Sequence, residues 1–219
     1  MIIINRDSDN TTCEYKLKRP CLDAYKIIKK LGQGGEATVY LIQDRKTLEY
    51  RAAKFVPAYL DDIDYKITEQ DDCFPYAQSL QDDIVKSEKL LRSLGVGVKI
   101  LEIAECDFLY TSNTGTTETA KSKSSKNGSK TQQPYQSKMI VIVMELYSMT
   151  LLAYKKLFPR AFESEQDKIQ SKLDNLLQKI TNSGYEAQDY HDENVMLKLD
   201  ASNNIIDVNF IDLKLAARM

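Results

Sequence analysis

Three of the eight glycines, Gly32, Gly34 and Gly35, fall within four positions of a chain otherwise poor in glycine. A backbone without Cβ can approach phosphate oxygens closely and present its amide groups to negative charge. A second position with chemistry in it is Glu88, which shares an apolar stripe with Leu80, Ile84, Leu91 and Leu94. A carboxylate placed there needs a partner. Asp189 and Asn194 stand five residues apart in one polar loop with His191, the only histidine, between them, and Asp212 follows an apolar run. Cys13, Cys21, Cys73 and Cys106 are far apart with no C-x-x-C pair, so a structural zinc site lacks its usual ligand spacing. Reduced thiols in an intracellular setting are expected.

These residues need elements to hold them. Tyr25 to Leu31 mixes β-branched and polar residues, Thr38 to Ile42 is a strong strand former, and Glu49 to Val56 gives a third strand that contains Lys54. The order is strand, glycine-rich turn, strand. A dinucleotide-binding loop would open a helix after its glycines, whereas β-branched Thr38 and Val39 follow here. Residues 57–77 are polar and acidic with two prolines, an irregular excursion. Helical spacing then runs from about Ser79 to Leu94, Gly95 and Gly97 close it, and Val98 to Ile103 returns to strand. Residues 111–138 hold five lysines and one acid among small polar residues, which predicts a disordered loop inserted in a hairpin, with a basic charge that could dock an acidic partner. Met139 to Met144 is apolar without alternation, as in a strand buried on both faces. Ile169, Leu173, Leu176, Leu177 and Ile180 mark a second long helix stopped at Ser183 and Gly184. Val195 to Leu199 and Ile205 to Ile211 make a closing hairpin.

A chain of 219 residues can form one domain or two small lobes without a disulfide or metal staple. With 30 basic against 32 acidic side chains, a dedicated nucleic-acid binder is disfavoured. The apolar start at Met1 to Ile4 is too short for a signal-peptide core, and nowhere do about 18 apolar residues run together. No membrane span and a cytoplasmic location are expected.

The run LGQGGEATVY at 31–40 resembles the glycine-rich loop G-x-G-x-x-G-x-V of the protein kinases, with Ala37 at the third glycine. RAAKF at 51–55 looks like the V-A-I-K strand of that family, and the helix around Glu88 like the one that supplies its ion-pair carboxylate. VIVMELY at 141–147 is similar to the kinase hinge. GYEAQDYHDENVML at 184–197 resembles the catalytic loop H-R-D-L-x-x-x-N, and FIDLKLA at 210–216 the D-F-G segment. The resemblance implies an α+β, two-lobed protein-kinase-like fold that binds ATP and Mg²⁺. Residues 1–21 would be an N-terminal extension, 22–147 an antiparallel β lobe with one helix and the hinge, and 148–219 a shortened helical lobe.

The same resemblance assigns roles. Gly32, Gly34, Gly35 and Ala37 would cover the phosphates, while Val39 and Ala52 sandwich the adenine. Lys54 would clamp the α- and β-phosphates and pair with Glu88. Met144 would be the gatekeeper, with the backbone from Glu145 to Tyr147 meeting the adenine edge. Asp189 would accept or orient the substrate hydroxyl, and Asn194 and Asp212 would bind magnesium.

Departures from the pattern matter too. Ala187 and Gln188 replace the histidine and arginine before the catalytic aspartate, and Lys214 replaces the glycine of D-F-G. Without that arginine, a phosphorylated activation loop loses its anchor. Only residues 213–219 follow Asp212, so the resemblance, from about residue 22 to 216, is to a minimal or truncated kinase without activation segment or later helices. Three functions stay open: transfer of the γ-phosphate to protein Ser or Thr, a pseudokinase serving as an interaction module, and a small-molecule kinase. The last is admitted because Asp189, His191 and Asn194 also resemble the loop of aminoglycoside and choline kinases.

Overall fold

β-branched and aromatic residues recur through the first part of the chain at the period of two that a pleated strand requires. The computed structural model describes residues 2–5, 12–17, 21–33, 37–57, 78–113 and 135–218. Within them, β1 (Ile2–Asn5), β2 (Thr12–Leu17), β3 (Tyr25–Gln33), β4 (Thr38–Asp44), β5 (Tyr50–Pro57), β6 (Ile100–Asn113) and β7 (Tyr135–Glu145) form one sheet. Its order is β1-β2-β6-β7-β5-β4-β3, with every neighbouring pair antiparallel. The central strands are buried on both faces. Ala53, Phe55, Val141 and Val143 point to one core, and Ala52, Val56, Ile142 and Met144 to another. This is why Met139 to Met144 shows no alternation.

Helix α1 (Gln78–Ser93) lies against the second face through Ile84 and Val85, while its Leu91 packs into the later part of the chain. Gly95, at φ 63°, ends the helix in the left-handed conformation that glycine adopts without strain. Gly97 is needed for space, because a Cβ there would sit 2.7 Å from Leu91 Cβ.

After β7 come β8 (Met149–Thr150), α2 (Leu151–Leu157), α3 (Pro159–Asn182), β9 (Tyr185–Gln188), a 3₁₀ turn (Asp192–Asn194), β10 (Val195–Leu199), β11 (Ile205–Phe210) and β12 (Lys214–Ala217). Thr150 caps α2 by accepting from the Ala153 amide at 3.1 Å, and Pro159 opens α3 where its missing N–H costs nothing. α3 buries Ile169, Leu173, Leu176 and Ile180 against β10 and β11 residues such as Leu197 and Val208. Strand β10 pairs with both β11 and β8, and β9 pairs with β12. The turn after α1 docks on β11: the Phe210 amide donates to Val96 O at 2.9 Å and the Val98 amide to Phe210 O at 3.0 Å.

Several expectations change. The part after residue 147 carries, beside its two helices and the expected hairpin of β10 and β11, the short strands β8, β9 and β12. α2 is a seven-residue helix, too short to show a period. The segment expected as a disordered loop, 111–138, contributes both its ends to the sheet. β6 runs on to Asn113 because β2 pairs alongside it, and β7 starts at Tyr135 opposite Tyr110. Residues 114–134 lie outside the described residues, as do Gly34, Gly35 and the excursion at 58–77. The N-terminal extension supplies β1 and β2 to the sheet.

Cys21 and Cys106 form a disulfide with Cα atoms 5.4 Å apart, against the expectation of reduced thiols. The cause is tertiary. Although β3 and β6 are not neighbours in the sheet, the sheet curls until the turn before β3 meets β6, and the Tyr25 hydroxyl donates to Glu102 Oε2 at 2.9 Å across the same gap. Among the described residues no helix is long and apolar enough to cross a membrane.

Candidate functional site

Alternation along β5 sends Ala52, Lys54 and Val56 to the face that α1 covers, and the helical period returns Glu88 to the same place one turn after Ile84. Lys54 Nζ lies 3.4 Å from Glu88 Oε1, and both residues are almost completely buried. The same ammonium forms an ion pair with Asp212, whose side chain is 44% exposed. One cation therefore serves two carboxylates, and the trio carries a net formal charge of −1 on its half-exposed side. Among the described residues no group of three or more His, Cys, Asp or Glu side chains is arranged to hold a metal. Asn194 and Asp212 nevertheless present a carboxamide and a carboxylate. Hard oxygen donors of this kind, one or two from protein with the rest from phosphates and water, are what Mg²⁺ takes.

Two loops carry the remaining polar residues, and sheet pairing pins both ends of each. Gln188 is opposite Lys214, and Val195 is opposite Phe210. The loop at 189–194 and the loop at 211–213 are thus held side by side. Between them the Ile211 amide donates to Asn194 O at 2.9 Å. Asn194, itself buried, donates from Nδ2 to the Asp189 carbonyl at 3.1 Å, which leaves its Oδ1 as an acceptor. Asp189 and Asp212 both sit at positive φ, 59° and 55°. Aspartate is among the few side chains that tolerate this, and the strand pairing at both ends of each loop is what holds the conformation. The Asp189 carboxylate is 57% exposed, with His191 Nε2 3.7 Å from its Oδ1. Tyr190 meets Phe210 edge to face at 5.8 Å, and Lys155 on α2 reaches Asp192 at 2.6 Å. These contacts hold the loop.

Beside the polar trio lies an apolar cluster. Ala52, Met144 and Tyr147 are buried in it, and Ala37, Val39, Leu146, Met196 and Ile211 pack against it. Ala52 is directly opposite Met144 across β5 and β7, and Val39 opposite Lys54 across β4 and β5. Gly32 pairs with Val39, and a Cβ added to it would meet no atom of the described residues within 4 Å.

Of the residues singled out in the sequence, Lys54, Glu88 and Asp212 are in contact, Ala37, Val39, Ala52, Met144 and Tyr147 share the apolar cluster, and Asp189 and Asn194 occupy one neighbouring loop. The side chains of Glu145 and Tyr147 turn to β10 and β11 rather than to the cluster's open side: Glu145 pairs with Lys198, and the Tyr147 hydroxyl bonds to Asp207. Met196 and Ile211 were missed. The signal for each was position, two residues after Asn194 and one before Asp212.

No protein-family model and no curated protein sequence matches the chain. Solved structures do. One of them, the crystal structure of Rad53 1-466 in complex with AMP-PNP, is similar with a TM-score of 0.54 over 88% of this chain, at 17% identity. The fold is kinase-like. Rad53 is a protein kinase, and the present chain spans 40% of the length of that structure.

Proposed function

We propose that this chain is an ATP-dependent, Mg²⁺-requiring phosphotransferase with a two-lobed kinase arrangement, acting on a serine or threonine hydroxyl of a protein. The observation that carries the reading is Lys54, a buried ammonium shared between Glu88 on the helix and Asp212 on the loop beside Asn194. It is supported by the nucleotide analogue that the similar Rad53 structure holds.

Each residue then has a task. The space over Gly32, open among the described residues, admits phosphate oxygens to the backbone, and the cluster of Val39, Ala52, Met144, Met196 and Ile211 encloses the adenine. Lys54 holds the α- and β-phosphates while Glu88 keeps its ammonium in place. Asn194 Oδ1 and Asp212 would hold magnesium, which would neutralise phosphate charge. Asp189 accepts the proton of the substrate hydroxyl as its oxygen bonds to the γ-phosphorus. The bond from that phosphorus to the β,γ-bridging oxygen breaks, and ADP leaves with the electron pair.

A second reading, a nucleotide-binding interaction module that transfers nothing, is favoured by Ala187 and Gln188 at the loop's entry. Transfer of labelled γ-phosphate from Mg-ATP to basic protein substrates separates the two. The natural chain should incorporate label, and Asp189→Ala and Lys54→Ala should not. Label transferred equally by all three chains would refute the assignment. A nucleotide-induced rise in melting temperature without transfer would establish the second reading.

A further inference from the structure

The segment from Glu145 to Ser148 is fastened to one face of the β10–β11 hairpin. In that hairpin Lys198 lies opposite Asp207 and Met196 opposite Asn209, so all four share a face. Met196 belongs to the apolar cluster beside Lys54. The other three hold the segment after β7. Lys198 pairs with the Glu145 carboxylate. The buried Tyr147 hydroxyl donates to Asp207 Oδ2 at 2.5 Å and accepts from Asn209 Nδ2 at 2.6 Å, and Asn209 Nδ2 also donates to Asp207 Oδ2 at 2.9 Å. Next to this triangle the Ser148 amide donates to Leu197 O at 2.9 Å.

We infer that Tyr147 is a positioning residue for the adenine end of the nucleotide: its hydroxyl, gripped by Asp207 and Asn209, fixes the 145–147 backbone at a set height above Met196. The inference rests on the proposed function and goes beyond it, because it places a binding determinant in a side chain that touches no nucleotide. Met196 and the grip stand on the same strand pair, so the floor of the base site and its edge move as one body. Burial, and then the hydrogen bond to Asp207, push the Tyr147 phenol above its ordinary range. Removing the hydroxyl leaves Asp207 and Asn209 bonded to each other, so the packing survives while the segment loses this grip and keeps the Glu145–Lys198 pair and the Ser148 amide bond.

The test is calorimetric binding of three probes, adenosine, Mg-AMP-PNP and Mg-tripolyphosphate, to the natural chain and to Tyr147→Phe. Adenosine and Mg-AMP-PNP should each weaken about tenfold, or ~1.4 kcal/mol. Mg-tripolyphosphate should bind unchanged, and turnover at saturating ATP should hold while KM for ATP rises. Equal weakening of all three probes would mark a merely structural residue and overturn the inference, as would no weakening. If Tyr147→Phe does not fold, Lys198→Gln on the partly exposed side of the grip should show the same selective loss, and an unselective result there overturns the inference. A natural chain that binds none of the probes refutes the proposed function itself. One that binds all three, with an unaffected variant, refutes only the role of Tyr147.

Discussion

Replacing Lys54 by methionine separates what the buried ion pair does for stability from what it does for binding. The side chains of Lys54 and Glu88 are 6% and 4% exposed. Methionine keeps the volume of the lysine stem but leaves the Glu88 carboxylate inside the fold without its ammonium. Breaking a buried pair from one side costs about 3–5 kcal/mol, chiefly from the uncompensated charge left behind. Asp212 adds little to this figure, because its half-exposed carboxylate regains water when the lysine is lost. For a chain of this size about 2–4 °C accompany each kcal/mol, so the melting temperature should fall by about 10 °C. The double variant Lys54→Met/Glu88→Leu removes both charges at once, and its stability should return to within about 1 kcal/mol of the natural chain. Urea unfolding followed by circular dichroism measures both changes. The double variant should still show no stabilisation by Mg-ATP, since the phosphate clamp is absent. A single variant within about 1 kcal/mol of the natural chain would refute the reasoning. So would a double variant less stable than the single one.

Two further outcomes follow from the closure of the sheet. The Tyr25 phenol is pushed up to about 12, first by burial and then by its hydrogen bond to Glu102. Its folded-state value lies above the unfolded value near 10, so its stabilisation is complete below about pH 10 and is lost as pH rises toward 12. Tyr25→Phe should therefore flatten the alkaline fall in stability over that window, and an unchanged slope would contradict the assignment. The Cys21–Cys106 disulfide closes a sequence separation of 85, for which the chain-entropy relation gives about 4–5 kcal/mol. Dithiothreitol should lower the urea midpoint of the natural chain and leave that of Cys21→Ser unaffected. Free thiols at both positions in the untreated protein, detected by mass spectrometry after alkylation, would refute the pairing.

Much of the local structure was legible because it is written in short-range patterns. Thr38 to Ile42, the run ending at Ser183 and Gly184, and the 195–211 hairpin appear in the fold close to where residue type and period put them. α2 escaped notice because seven residues hold too few turns for a period. The strand ends at 111–113 and 135–138 escaped because their composition is that of a loop, and pairing with β2 and with β6, respectively, overrides it. Glu88 was legible as a carboxylate in need of a partner, since the helical period alone sets it on the apolar stripe.

By itself the sequence determined the elements and the chemical inventory: a glycine-rich turn between strands, a lysine on a buried strand, a carboxylate on a helix, and two polar loops. Tertiary structure alone decided their meeting. Lys54 and Asp212 are 158 positions apart, and Tyr147 and Asp207 are 60 apart. Cys21 reaches Cys106 only because the sheet curls. Period and propensity act over a turn or a strand, whereas these contacts depend on sheet order, register and curvature, which no short window of residues encodes.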